Sequence, residues 1–214
     1  MPKPRKKIKF TWAALKEERN ALRRFELYLP TLQLKQQQLQ LALGLVLRAQ
    51  EEALDALSSV EARISGHQGV FRDRGGVNIE KMAKPEHVIT GMKNMAGVRV
   101  PAFESVSFPE AVYSLFGTPP WVDRALEDLR EKGRRVSRLK VVEQQKELIE
   151  AELRKVMQRV NLFEKMIIPQ TEENIRRIRI ALGDAMTAAV ARAKIAKAKL
   201  NAREVQRRSE EGRP

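Results

Sequence analysis

The sequence predicts a mainly α protein, a long antiparallel two-helix coiled coil with a small insert that contains a β-hairpin. Apolar residues recur every three or four positions over two long stretches, which is typical of helices that keep one face against a partner helix. Between those stretches glycines and prolines cluster and the period is lost. The predicted segments are a basic flexible N-terminus (1–10), a first helix (11–65), the insert (66–117), a second helix (118–208) and a flexible C-terminus (209–214).

The first helix is predicted from one sustained ladder of apolar residues, interrupted by few polar steps. Gln36 and Gln50 fall on this ladder, where they either set the register against the partner helix or are simply tolerated. Pro30 is expected to bend the helix, because an interior proline removes a backbone hydrogen bond and costs about 3 kcal/mol. The predicted seam residues of this helix are Leu22, Leu29, Leu39, Leu43, Val46 and Leu57.

The second helix is predicted to start near Thr118, which can cap a helix whose first turn holds prolines. Gly133 and Pro169 are the weak points that we expect within it. The steps between its apolar residues alternate between four and three, which averages 3.5 residues. The predicted seam residues of this helix are Ile149, Leu153, Val156, Val160, Phe163 and Ile167.

The insert contains short β-branched and aromatic runs that predict a hairpin. The candidate strands are Val88–Met92, Val98–Val100 and Phe103–Phe108, and the hairpin-turn residues are Asn94, Gly97 and Pro101. Gly97 is expected at positive φ, which glycine adopts without steric cost. Because two strands alone are marginal in water, we expect the insert to lean on the helices or on another subunit.

Composition limits the possible functions. The formal net charge is +14, so nucleic acid, acidic lipid and acidic protein surfaces are all possible partners. The chain has no cysteine, which excludes disulfides and thiolate metal sites and suits a reducing cytoplasm. Its longest apolar run, Leu41–Leu47, is far shorter than the roughly 20 residues that span a bilayer.

No catalytic or cofactor-binding constellation stands out in the sequence. The two histidines, His67 and His87, lie in the insert without the further ligands that a metal site needs. Arg74–Gly76 lacks the lysine and the following helix of a phosphate-binding loop. We therefore expect a non-enzymatic protein without metal or cofactor.

Two stretches resemble a known family. Residues 159–164 read Arg-Val-Asn-Leu-Phe-Glu and residues 167–169 read Ile-Ile-Pro, which is similar to the RVNxLExxxIP signature of the D subunit of V-type and A-type rotary ATPases and ATP synthases. Residues 94–101 are similar to that family's hairpin pattern N-x-x-G-x-x-V-P. The residues that match the family's signature in the second helix are Arg159, Asn161, Glu164 and Pro169.

This resemblance implies a central rotor shaft that couples ATP hydrolysis or synthesis to rotation of the ion-translocating ring in the membrane. It implies contacts with the catalytic and non-catalytic subunits of the hexamer, with the F subunit and with a funnel-shaped subunit on the ring. It also implies a cytoplasmic location, peripheral to the membrane, with no active site, no nucleic acid and no membrane insertion. Proton and sodium coupling both remain open.

The resemblance adds two expectations about individual segments. The insert is expected to tune ATP turnover through a neighbouring subunit. The alanine-rich segment Ala185–Leu200 is expected to be a smooth bearing inside the hexamer, with Arg192, Lys194, Lys197 and Lys199 loosely facing its collar. The alternative, from the charge alone, is a basic coiled-coil adaptor or a nucleic-acid-associated structural protein.

Overall fold

The computed structural model describes residues 8–66, 78–113 and 117–211, and these residues form a mainly α protein with one β-hairpin. This confirms the predicted fold class. Three predictions lie wholly or partly outside the described residues: the basic N-terminus, His67 with Arg74–Gly76, and the last residues of the chain. The elements in chain order are helix α1 (Trp12–Ser65), helix α2 (Ile79–Ala83), strand β1 (His87–Met95), strand β2 (Val98–Ser107), helix α3 (Trp121–Leu162), a π-turn (Phe163–Ile167) and helix α4 (Ile168–Glu211).

The chain divides into two compact units, and each contains part of α1. Leu32–Gln158 holds the hairpin and is called the hairpin unit below. Met1–Thr31 with Arg159–Pro214 is called the terminal unit.

In the hairpin unit, α1 and α3 pack in opposite directions along a buried apolar seam. Lys35 Nζ lies 3.2 Å from Glu152 Oε1, whereas Glu61 Oε1, further along α1, lies 2.8 Å from Lys132 Nζ, which is earlier in α3. Leu39 and Ile149 are completely buried between these ion pairs. The unit is therefore an antiparallel helical pair, as the seam spacing predicts.

In the terminal unit, the start of α1 packs against α4. Leu15, Ile175 and Ile178 form a buried cluster, and Leu22 and Leu182 pack against it. Each of these residues comes from a ladder whose spacing places it on the inner face of its helix.

Helix α1 continues through Pro30, where the sequence predicts a bend within one helix. The ring of Pro30 is exposed, and its neighbour Leu29 is half-buried on the inner side. Proline removes only one donor from the ladder, and the buried seam on both sides of Pro30 outweighs that local loss.

The hairpin closes with a two-residue turn formed by Ala96 and Gly97, whose φ angles are 51° and 82°. Positive φ at both positions is typical of the type I′ turn, which matches the twist of the strands. The positive φ predicted for Gly97 is confirmed. Ala96, by contrast, is a non-glycine residue in the left-handed region, which L-residues visit at some energetic cost.

Two details of the predicted hairpin are wrong. Asn94 and Pro101 are not turn residues, because they pair within the strands with Arg99 and Met92 respectively. The two predicted strands after the turn form one strand, β2, that runs through Pro101. Counting from the pair beside the turn, hydrogen-bonded and non-hydrogen-bonded pairs alternate, and Pro101 falls on a non-hydrogen-bonded pair. Its missing N–H is therefore not needed in the ladder.

The insert rests on one face of α3. A Cβ at Gly133 would lie 3.2 Å from Phe108 Cε1 and 3.3 Å from Pro85 Cγ, so the glycine lets the insert approach the helix closely. Arg130 donates from Nη2 to the Pro109 carbonyl oxygen at 2.6 Å, and its guanidinium carbon lies 5.5 Å from the centre of the Phe108 ring. Gly133, expected to be a weak point, is thus a packing site.

We expect Gly133→Val to destabilise the hairpin unit by about 1–3 kcal/mol, because the added side chain overpacks the contact with Phe108 and Pro85. The matched control is Gly183→Val, since a Cβ at Gly183 meets nothing within 4 Å. Denaturant unfolding with limited proteolysis of the insert measures both changes. Equal stability of the two variants would contradict a close docking of the insert at Gly133.

Candidate functional site

The twelve predicted seam residues all lie away from solvent to some degree. Those that are buried are Leu39, Val46, Ile149, Leu153, Val156 and Val160. Those that are half-buried are Leu22, Leu29, Leu43, Leu57, Phe163 and Ile167. This burial is what a coiled-coil seam requires, and the pairing of each residue across the seam stays a prediction.

A buried carboxylate ties the helices together near the insert end of α1. Asp128 is only 3% exposed, and its Oδ1 lies 3.1 Å from Arg63 Nε on α1. Arg124, one turn earlier in α3, reaches the other carboxylate oxygen at 4.0 Å. This pair was not predicted from the sequence, although Asp128 lies three heptads before Ile149 and so falls on the apolar ladder. An acidic residue on an apolar ladder was the signal in the sequence that could have indicated a buried ion pair.

A polar contact in the hairpin unit and an aromatic contact in the terminal unit also join the helices. Lys146 Nζ donates to Gln50 Oε1 at 3.3 Å, so this polar ladder position has a partner on α3. In the terminal unit the rings of Phe25 and Phe163 meet edge to face with centroids 5.5 Å apart. Such pairs contribute about 0.5–1.5 kcal/mol beyond the area they bury.

The residues of the family signature point outward. Arg159, Asn161, Glu164 and Pro169 are all exposed, whereas Val160 among them is buried. Within the described residues, neither Arg159 nor Glu164 has an ion-pair partner. The charged signature residues are therefore available to another protein.

The hairpin is held through β2, while β1 is open to solvent. Val100 is fully buried, and Gln145 Nε2 donates to the Pro101 carbonyl oxygen at 2.5 Å. On β1, Val88, Ile89 and Met92 are exposed apolar residues. The insert thus leans on α3, one of the two kinds of support that the sequence leaves open, and presents an apolar outer strand.

Part of α1 in the hairpin unit carries an exposed apolar face that was not predicted from the sequence. Leu34, Leu41 and Leu45 are 56%, 73% and 60% exposed, and their spacing of seven and four places them on one side of the helix. The surrounding residues 36–47 carry no charge. At Gly44, near this side, an added Cβ would meet nothing within 4 Å. The absence of charge over these residues was the signal in the sequence.

The end of α4 is exposed to solvent. From Gly183 onward every side chain whose burial is described is exposed, including Met186 and Leu200. The apolar ladder nevertheless continues there at steps of four and three. Its members are Leu182, Met186, Ala189, Ala193, Ala196 and Leu200. Arg192, Lys194, Lys197 and Lys199 are exposed along the same segment.

Several ion pairs on the surface of the described residues lie along single helices. Hydrogen bonds from Arg176 and Arg177 lower the pKa of Glu173 from its ordinary value to about 2. Burial raises the pKa of Glu131, but hydrogen bonds from Arg135 and Arg134 outweigh it, and the net pKa is lowered. A lowered folded-state pKa stabilises the fold above the ordinary carboxyl pKa, and this contribution disappears as the pH falls towards the lowered value.

The chemistry-bearing side chains do not converge. A cavity of about 700 Å³ in the terminal unit is lined by Glu17, Glu18, Glu173 and Arg177, with Asn174 beside them. Among the described residues, no group of three or more acidic, histidine or cysteine side chains could hold a metal ion. His87 is exposed on β1. In the same part of the chain, no helix is long and apolar enough to cross a bilayer.

These features define a class of protein, a helical-hairpin component of a larger assembly. Its exposed apolar faces are suited to binding other proteins. The model of the family described as the D subunit of ATP synthase matches residues 14–198. The chain is 37% identical to the V-type ATP synthase D subunit of Borreliella burgdorferi over 194 residues, which cover 91% of this chain and 95% of that protein. It is 35% identical to the V-type ATP synthase D subunit of Chlamydia felis over 197 residues, covering 92% and 95%.

The chain therefore belongs to the family of ATP synthase D subunits. This confirms the resemblance found in the sequence and makes the protein a stalk component of a rotary ATPase, which has other ATPase subunits as its partners. The alternative of a basic adaptor or nucleic-acid-associated protein has no support from these comparisons.

We expect Ile149→Ala to lower the free energy of unfolding by about 2–5 kcal/mol, because its side chain is fully buried in the seam. Phe163→Ala and Ile167→Ala should cost less, since both side chains are only half-buried. The control Leu41→Ala removes an exposed side chain and should change stability of the isolated chain by less than about 0.5 kcal/mol. Denaturant titrations compare the four variants, and similar losses for Ile149 and Leu41 would contradict the assigned inner face.

Proposed function

We propose that this chain is the central rotor shaft of a V/A-type rotary ATPase. It couples ATP hydrolysis or synthesis in the catalytic hexamer to rotation of the ion-translocating ring, and it has no active site of its own. The observation that carries this proposal is the family match over residues 14–198, which takes in both halves of the helical pair.

The hairpin unit has the bonding that a torque-bearing pair of helices needs. A shaft under twist fails where its two helices slide or separate. Sliding is opposed by the buried seam around Leu39 and Ile149, because a shift in register would expose their side chains. Separation is opposed by cross-helix ion pairs, of which Arg63–Asp128 is the most buried. Removing one partner of such a pair leaves an uncompensated buried charge, which is strongly destabilising.

The exposed faces support particular partners. The uncharged face of α1 with Leu34, Leu41 and Leu45 suits an apolar surface on a neighbouring subunit, and we assign it to the F subunit, with which the resemblance implies contact. The shaft then seats on a funnel-shaped subunit of the membrane ring. The protein is cytoplasmic and peripheral to the membrane through these contacts.

The end of α4 is the part of the shaft that enters the bore of the catalytic hexamer. Alanine is frequent between Ala185 and Leu200, so the helix forms without tertiary support and presents little side-chain bulk. Every residue of that segment is exposed. A thin helix with an unpartnered apolar ladder and exposed basic side chains can turn within a collar without locking into one orientation. This segment therefore acts as the bearing.

Cross-linking Ala189→Cys to a cysteine placed in the surrounding collar should stop steady ATP hydrolysis by the assembled complex, because the shaft can no longer turn. Reduction should restore turnover. The chain has no native cysteine, so the cross-link is specific. The control is Ala189→Cys without the collar cysteine, which should hydrolyse ATP normally under oxidising conditions. Full turnover with the cross-link completely formed would rule out rotation of this segment as part of a rigid shaft.

The hairpin tunes ATP turnover through a neighbouring subunit. Deleting it should change the hydrolysis rate of the complex by about two-fold or more with little effect on assembly. Met92→Asp is a milder test, because this exposed residue on β1 can be charged without disturbing the buried contacts of β2. The control Ala96→Asn keeps the type I′ turn and should leave turnover unchanged. Loss of assembly with Met92→Asp, or turnover unaffected by the deletion, would contradict this role.

A further inference from the structure

The apolar ladder changes phase by one residue between α3 and α4. Ile149, Val156 and Phe163 are seven residues apart, so the next members of their series are Gln170 and Arg177. The buried residues are instead Thr171 and Ile178, each one position later. The second series shows the same shift: Val160 and Ile167 predict Asn174, whereas Ile175 is buried.

Helix α1 shows no such shift in the terminal unit. Leu15, Leu22 and Leu29 follow one another at intervals of seven, and all three lie on the inner side. The extra residue therefore belongs to one helix of the pair alone. An unbroken α-helix would carry Thr171, Ile175 and Ile178 about 100° away from the seam.

The π-turn absorbs this extra residue. The Ile168 N–H donates to the Phe163 carbonyl oxygen, five residues back rather than four. A single π-turn inside an α-helix accommodates one additional residue per turn and returns the following helix to its original phase. The position of the π-turn, after Val160 and before Thr171, coincides with the shift in the ladder.

Backbone hydrogen bonding is weakened around the same place. Pro169 has no N–H, so the Lys165 carbonyl loses its helical donor. Thr171 Oγ1 donates to the Ile167 carbonyl oxygen at 2.8 Å, a contact that tends to bend helices. No side chain of the π-turn is fully buried. On α1, Pro30 lies five residues after Phe25, the residue that contacts Phe163, and it removes a second helical donor.

We propose that the π-turn is a one-residue insertion that serves as the torsionally compliant point of the shaft. Winding the turn into α-helix rotates the helix that follows the turn against the residues just before it, by up to about 100° with an axial change of about 1.5 Å. The seam resists this rotation, so the turn yields elastically under load. This inference rests on the proposed rotor function.

Deleting Lys165 tests the insertion itself. The residue is exposed, lies within the π-turn and occupies one of the three consecutive unspecified positions of the family signature. Its removal puts Thr171 seven residues after Phe163, and it puts Ile168 and Ile175 at successive seven-residue intervals after Val160, so that Ile168 replaces Ile167 in the second series. The full chain should therefore keep its helix content and its melting temperature to within a few degrees. Deleting exposed Glu147, where the ladder has no shift, should lower the melting temperature strongly. Equal destabilisation by the two deletions would overturn the insertion.

Amide hydrogen exchange tests the compliance in the isolated full chain. In the unaltered protein, the amides of Glu164–Ile168 should exchange at least ten-fold faster than those of the neighbouring helical turns. The Lys165 deletion should remove this local maximum, whereas the control Lys165→Ala should retain it. Similar protection of Glu164–Ile168 in all three proteins would overturn a soft turn at this position.

The assembled complex connects compliance to function. The Lys165 deletion should leave assembly intact and change steady ATP hydrolysis by at least two-fold, while Lys165→Ala should not. Unchanged turnover with the deletion would overturn the proposed role in rotation. If the unaltered chain fails to restore hydrolysis to a complex that lacks it, the rotor function fails instead, and the exchange and melting results stand independently of it.

Discussion

The apolar seam between antiparallel helices is the constraint on which the other features depend. In the hairpin unit, α1 and α3 must keep the same residues in contact over many turns, so an average spacing of 3.5 residues is imposed on both. The ion pairs Lys35–Glu152 and Lys132–Glu61 can form only in the register that this seam sets. The buried carboxylate of Asp128 is tolerated because the same register brings Arg63 to it.

The insert depends on the seam indirectly, because it has no core of its own. Its two strands would be marginal alone, and they are stabilised by contact with the outer side of α3. Gly133 allows the close approach, while Arg130 joins the insert to the helix by hydrogen bonds and by its contact with Phe108. As a result only β2 is anchored, and β1 remains available to a partner.

The exposed apolar residues are explained by contacts with other subunits of a complex. Leu41 and Leu45 on α1, Met92 on β1 and Leu200 on α4 lie on three different elements, and each side chain is more than half exposed. A protein that functions alone rarely exposes such faces. Membership of the D-subunit family supplies the reason, because a stalk component is surrounded by other subunits of the ATPase.

The sequence by itself determined the fold class, the two ladders, the hairpin and the positive φ of Gly97, because periodicity and turn chemistry are local properties. The exposed signature residues Arg159 and Glu164 could also be named from local motifs. Only the tertiary structure decided what depends on distant partners. Gly133 becomes a packing site because Phe108 and Pro85 reach it, and Pro101 fits its strand because the turn fixes the register. The π-turn likewise depends on a tertiary contact, because it brings the apolar residues of α4 to face α1. The α4 sequence read alone does not contain that information.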